Sequence, residues 1–193
     1  MGIGNQSKNQ PPMVKGASND FQTPPEALAP LFPFLDKNWR IWECAAGEGN
    51  LSREFKRRGY DVIGTDINHK DMVFRKDFLK WQPTKYDCIV TNPPYSIKQE
   101  FLNRCYTLEK PFALLLPLTT FETAKRQELF KSYGVQVIFF DRRINFKTPS
   151  GIGGGSWFST AWFCWGLGLK KDMTFVKLGT TNTLQNKLDI GGK

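Results

Sequence analysis

The chain has 193 residues, 40% of them hydrophobic, a size that supports one substantial core and is too small for two ordinary domains. It carries a formal net charge of +9 and a single histidine, His69, and its four cysteines at 44, 88, 105 and 164 contain no CxxC pair. That inventory excludes a zinc centre and leaves a histidine-based triad or metallohydrolase almost nothing to work with. The positive balance favours a polyanionic partner, because each Lys or Arg beside a phosphate releases condensed counterions, although charge alone serves solubility equally well.

Residues 1–19 are polar, rich in Gly, Ser, Asn, Gln and Pro, and lack periodicity, so they read as a flexible leader. No apolar run reaches about eighteen residues and no hydrophobic signal segment opens the chain, which predicts a soluble cytoplasmic protein with no membrane association. From Asp20 onward strand and helix patterns alternate. Trp39 to Cys44 reads as a strand, Leu51 to Arg58 as a helix stopped by Gly59, and Asp61 to Thr65 as a second strand. Further strands are expected at Tyr86 to Thr91, Phe112 to Leu116, Val135 to Phe140 and Ser159 to Gly166, with helices near 97–108 and 121–132. This alternation predicts an α/β domain over 20–169 with a largely parallel sheet. The turn-rich KTPSGIGGG then breaks the rhythm, so the last strand should return as a hairpin, and the polar stretch 170–193 reads as a flexible tail.

The first chemical constellation is Glu43-Cys44-Ala45-Ala46-Gly47-Glu48-Gly49-Asn50, at the junction of the first strand and first helix. Its small residues let the backbone turn tightly and approach a ligand. It lacks the GK[ST] of a triphosphate loop, and its flanking acids Glu43 and Glu48 suit a cationic or amino-bearing ligand better than pyrophosphate. Asp66, followed by Ile67, ends the second strand, where a carboxylate can accept both hydroxyls of a ribose. Asp77-Phe78 could hold an adenine amino group and cover its ring. Either aspartate alone would serve as a helix N-cap; in this order they favour an adenosine ligand.

The second constellation is Thr91-Asn92-Pro93-Pro94-Tyr95, which follows the strand YDCIV and so lies at the carboxyl edge of the sheet. Two prolines fix the backbone and remove two N–H donors, leaving acceptors. An exocyclic amino group on a base is a poor nucleophile because its lone pair is delocalised into the ring. Asn92 Oδ1 and the Pro93 carbonyl could accept its two N–H bonds and aim that lone pair at a sulfonium methyl, while Tyr95 stacks on the base. Such a route requires no covalent nucleophile and no strong base. Methylation at cytosine C5 would need a nucleophilic cysteine, usually presented after proline, whereas the four cysteines here follow Glu, Asp, Arg and Phe.

The order of Gly-rich turn, Asp66, Asp77 and NPPY resembles the amino-group methyltransferases, and specifically the small phage-type DNA N6-adenine methyltransferases. The resemblance covers residues 20–168 and includes Asp20-Phe21-Gln22-Thr23-Pro24, similar to the family's motif before the first strand that contacts the methionine end of the donor. It departs mildly at AAGEG, where GxGxG is commoner. The resemblance implies a Rossmann-like, seven-stranded sheet with a reversed last strand. It also implies S-adenosylmethionine as cofactor, held by Phe21, Thr23, Pro24, Glu43, Ala45, Ala46, Gly47, Asp66, Ile67, Asp77, Phe78 and Asn92, and DNA as partner. Phe146 matches the place of an aromatic that packs on the extruded base, and Arg142, Arg143, Lys147 and the 148–156 loop are candidate backbone contacts. With no separate recognition domain, short or relaxed sequence specificity is expected. RNA adenine-N6 and protein glutamine methyltransferases share the NPPY chemistry, and a methyltransferase-like binding subunit without activity is the alternative of a different class.

Overall fold

Successive side chains of a strand turn to opposite faces of its sheet, and a sheet covered on both faces therefore needs apolar residues at every position rather than at alternate ones. The central runs CIVT, FALLLP and TAWFCW meet that demand. In the computed structural model, which describes residues 22–68, 74–146 and 158–179, they form β4 (Cys88–Thr91), β5 (Phe112–Pro117) and β7 (Thr160–Trp165), and nearly every residue in them is buried. Around them lie β1 (Arg40–Glu43), β2 (Asp61–Asp66), β3 (Phe74–Arg75), β6 (Gln136–Phe140) and β8 (Met173–Val176). The sheet has eight strands in the order β3-β2-β1-β4-β5-β7-β6-β8.

Alternation divides the core in two. Ile41, Val90, Leu115 and Trp162 point to one face, where they pack with α1 (Asn50–Arg57) and with a 3-10 stretch over Pro25–Phe34. Trp42, Ile89, Leu114 and Phe163 point to the other, under α2 (Lys98–Thr107) and α3 (Ala124–Tyr133). The 3-10 stretch contains Pro25, Pro30 and Pro33, which lack the N–H groups an α-helical ladder would use. Its Ala27 and Leu28 are nonetheless fully buried, and the Ala27 carbonyl accepts from the indole of fully buried Trp162 at 2.8 Å. Among the described residues no helix is long and apolar enough to cross a membrane.

The α/β class and the mostly parallel sheet agree with the sequence reading, and two details differ. The reversed strand is β7, antiparallel to both β5 and β6. It is not the last strand: β8 continues the sheet parallel to β6, pairing Phe139 with Phe175, so the sheet has one strand more than expected and the stretch from 170 is not wholly a tail. Helix α3 also starts three residues later than the pattern suggested, because Leu118–Glu122 is 3-10 and Thr123 is extended (φ −110°, ψ 138°).

Gly166 closes β7 with φ +69°, and a Cβ there would come within 3.3 Å of the Pro111 Cα. Gly166→Ala should therefore destabilise the fold by about 1–2 kcal/mol, combining left-handed strain with a backbone contact that has little room to yield. A urea midpoint lowered at constant slope is the expected result, and an unchanged midpoint would contradict it.

Candidate active site

In an open parallel sheet the loops at the carboxyl edge diverge where the chain runs one way from one strand and the opposite way from its neighbour, leaving a crevice. Here β1 leads outward to β2 and β3 while adjacent β4 leads to β5 on the other side. A cavity of about 630 Å³ opens at this point, a volume suited to a nucleoside-sized ligand.

Its floor is the turn after β1. Gly47 (φ +53°) and Gly49 (φ +74°) take conformations that a side chain would oppose. The turn is fastened to two strands, β4 and β2, by three bonds: Ala45 N–H donates to Thr91 Oγ1 at 3.2 Å, Ala46 N–H to the Thr65 carbonyl at 3.0 Å, and Gly47 N–H to Asp66 Oδ2 at 2.9 Å. Asp66 also accepts from Asn68 N–H at 2.8 Å, so two backbone donors orient its carboxylate at the cavity wall. Asp77 caps its own turn, accepting from Leu79 N–H at 2.9 Å, the role an isolated aspartate would have, yet it also lines the cavity. Beside it Phe78 is buried and stacked on Phe101 with ring centroids 4.5 Å apart.

Glu43 lines the same cavity while only 2% exposed. Burial pushes its carboxyl up to about 8, aided by the nearby Asp66 charge and opposed by the hydrogen bond from the Ser52 hydroxyl and by Arg53. A carboxylate in that position is poised to accept a cation.

Across the mouth runs the segment before the 3-10 stretch. Gln22 Oε1 accepts from Asn50 Nδ2 at 3.2 Å, and buried Thr23 accepts on Oγ1 from Asn92 Nδ2 at 3.0 Å. Asn92 and Pro94 line the cavity, and the loop closes in a 3-10 turn over Tyr95–Ile97.

The cavity thus gathers Thr23, Glu43, Ala45, Ala46, Gly47, Asp66, Ile67, Asp77, Phe78, Asn92 and Pro94 of the residues singled out from sequence. Pro24 and Pro93 lie beside lining residues without lining it themselves; Phe21, Lys147 and the 148–156 loop fall outside the described residues. Two expectations are corrected. Tyr95 does not present its ring outward: it meets Phe158 edge to face at 5.5 Å with its hydroxyl turned inward, and burial raises the phenol pKa. Phe146 is 5% exposed and belongs to the core with Ile144 and Trp162 rather than to the cavity. Arg142 and Arg143, the candidate backbone contacts, are exposed beyond β6 outside the cavity lining, with Arg142 donating to the Leu178 carbonyl. Conversely, Asn50, Arg75 and Phe101 do line the cavity. Asn50 ends the Gly-rich turn already singled out, Phe101 had a signal in the inward spacing of Phe101, Leu102 and Cys105 along α2, and Arg75 had none.

No protein-family model and no curated protein matches the chain. Solved structures do. It superposes on the 23S rRNA methyltransferase ErmE with a TM-score of 0.53 at 18% identity, over 72% of this chain and 66% of that one. A dimethyladenosine transferase from Plasmodium falciparum gives 0.52 at 15% identity, over 75% and 62%. The modification subunit assigned to a type I restriction enzyme of Vibrio vulnificus YJ016 gives 0.51 at 12% identity, over 79% of this chain and 45% of that one. The fold is the Rossmann-like methyltransferase fold. Within this methyltransferase fold the cavity occupies the carboxyl-edge crevice between β1 and β4, and the chain spans less than two thirds of the Plasmodium and Vibrio proteins.

Proposed function

We propose that the chain transfers a methyl group from S-adenosylmethionine to the exocyclic N6 of adenine in DNA, acting on a base turned out of its stack. The observation that carries this reading is the junction of two chemistries in one cavity: Asn92, oriented by Thr23, stands at the mouth of a crevice whose wall is Asp66 and whose floor holds buried Glu43.

The residues fit the cofactor by their donor set. Asp66, held by two backbone N–H groups, is a bidentate acceptor for a ribose. Phe78 and Ile67 offer apolar surface for a purine, Asp77 an acceptor for its amino group, and Glu43 a carboxylate for an ammonium. When bound, the cofactor supplies a methyl already activated on positively charged sulfur. The chain itself then has to bring the nitrogen into line. Asn92 Nδ2 is engaged with Thr23, which orients the amide so that Oδ1 accepts one N–H of the target amine, with the Pro93 carbonyl as second acceptor. Both bonds strengthen as the nitrogen becomes tetrahedral and cationic, so they stabilise the transition state more than the ground state. The proton is lost after transfer, when the alkylated nitrogen is acidic enough to release it without a strong base. Extruding the base costs a few kcal/mol, least on single strands or at mismatches.

Labelled methyl from S-adenosylmethionine, offered DNA, RNA and protein and followed by nucleoside mass spectrometry, tests the reading. N6-methyladenine in DNA is the expected product. Label in RNA or on protein glutamine would keep the chemistry and overturn the substrate; failure to bind the cofactor would make the chain a non-catalytic binding subunit.

A further inference from the structure

A polar side chain at the start of a helix usually turns back to cap it. Helix α1 is preceded by Gly49 and has no side-chain N-cap, and the amide of its first residue, Asn50, is engaged elsewhere. Arg53, three residues on, donates to Asn50 Oδ1 and to the Glu48 carbonyl, the latter at 2.6 Å. A guanidinium can only donate, so it decides which end of the amide is which. Oδ1 faces Arg53, and Nδ2 is left to donate to Gln22 Oε1 at 3.2 Å.

The next residue, Thr23, is buried and accepts from Asn92 Nδ2 at 3.0 Å. Two consecutive residues are thus pinned to two different loops, Gln22 to the turn after β1 and Thr23 to the NPPY loop, and all four partners line the same cavity. The segment does not need these bonds to stay attached. Pro24 is extended (φ −72°, ψ 145°), its carbonyl accepts from Ala27 N–H at 3.0 Å, and Ala27 and Leu28 are fully buried, so the core already holds it from the far side. Ordering a glutamine side chain costs rotamer entropy, and here that cost is met at the rim of the crevice. A second connection, from Ala45 N–H to Thr91 Oγ1, joins the same two loops from beneath without reaching the Asn92 side chain.

We infer that Gln22 and Asn50 are positioning residues that couple the cofactor end of the cavity to its amine end. Pinned to Asn50, Gln22 fixes the place of Thr23, and Thr23 holds the Asn92 amide toward the incoming nitrogen. A ligand resting on the turn at 47–50 restrains Asn50 and hence the whole connection, so a second ligand at Asn92 meets a loop whose ordering has already been accomplished. The coupling is reciprocal, because each ligand must favour the other by the same factor. This inference rests on the methyltransferase reading above, and a nucleic-acid substrate of either kind would show it.

The test uses the full chain, S-adenosylhomocysteine as an unreactive stand-in for the methyl donor, and a fluorescent single-stranded oligonucleotide containing one adenine, as DNA and as RNA. Saturating S-adenosylhomocysteine should tighten binding of the oligonucleotide to wild type about tenfold, and the oligonucleotide should tighten S-adenosylhomocysteine by the same factor. Q22M, which keeps the length of the side chain and removes the acceptor, should bring that factor down to about one, whereas Q22E, which still accepts from Asn50, should keep it. In single-turnover methylation Q22M and T23V combined should lose no more rate than the larger single loss, since both break one connection. Retention of the full factor in Q22M, its loss in Q22E as much as in Q22M, or additive rate losses would overturn the inference and leave the methyltransferase reading standing. So would a wild type that binds S-adenosylhomocysteine and the oligonucleotide independently. If wild type binds no S-adenosylhomocysteine, both readings fall together.

Discussion

Replacing Asn92 by alanine should lower methyl transfer by about three orders of magnitude, the range seen when one preorganised hydrogen-bonding group is removed from a developing charge. On the proposed reading Oδ1 draws the amine lone pair out of conjugation, and the other amides of the cavity wall, Gln22, Asn50 and Asn68, lie outside the NPPY loop. Because Asn92 also holds Thr23 through Nδ2, the substitution loosens the segment across the cavity mouth as well. Thr23→Val separates the two effects: it breaks the same bond and leaves the acceptor. Single-turnover rates with cofactor saturating should show a loss of tenfold or less for Thr23→Val and the full loss for Asn92→Ala. Equal losses would make Asn92 a structural tie and remove it from the chemistry.

Glu43→Gln should raise stability at pH 8 and weaken cofactor binding together. Burial disfavours the charged form of the folded carboxyl and pushes it from the ordinary 4.5 up to about 8. A raised pKa adds stability that is full below about 4.5 and drains away as pH climbs toward 8, since over that window the unfolded chain has released the proton and the folded one has not. By pH 8 the wild type has lost that contribution, on the order of a few kcal/mol at about 1.36 kcal/mol per unit, whereas glutamine keeps the hydrogen-bonding shape without a charge. Denaturant midpoints should accordingly diverge between pH 5 and 8, with the variant flat and the wild type falling. Calorimetry should show wild type releasing a proton on binding the cofactor, as its ammonium charges Glu43, and the variant binding ten- to a hundredfold more weakly with no release. Parallel pH profiles would mean that Glu43 is not the titrating group.

The parts of the fold that could be read in advance are those in which local pattern and burial coincide. FALLLP, and TAWFCW after its first residue, are apolar at every position because both faces of the sheet are covered there, and the turn glycines sit where positive φ is required. Strand β8 escaped notice because Met173–Val176 is four residues long among lysines, with Met173 and Phe175 left exposed; only its pairing with β6 makes it a strand. The cavity lining was legible because its residues occur in the loops at the carboxyl edge, whose small and acidic side chains stand out in the sequence. Tyr95 and Phe146 were not, since the direction of an aromatic ring depends on what packs against it: Phe158 for one, Ile144 and Trp162 for the other.

Strand β8 also decides how the protein can be shortened. A truncation after Leu169 would leave the carboxyl-edge crevice untouched in composition but strip the outer partner from β6, baring the row of N–H and C=O groups between Val137 and Phe140 beside the ring of Phe139. An uncovered margin of that kind templates pairing with another chain. The shortened protein should therefore self-associate with rising concentration, and the natural boundary of a minimal expressible unit lies beyond Leu178, whose amide is held by the Asp141 carboxylate at 2.9 Å.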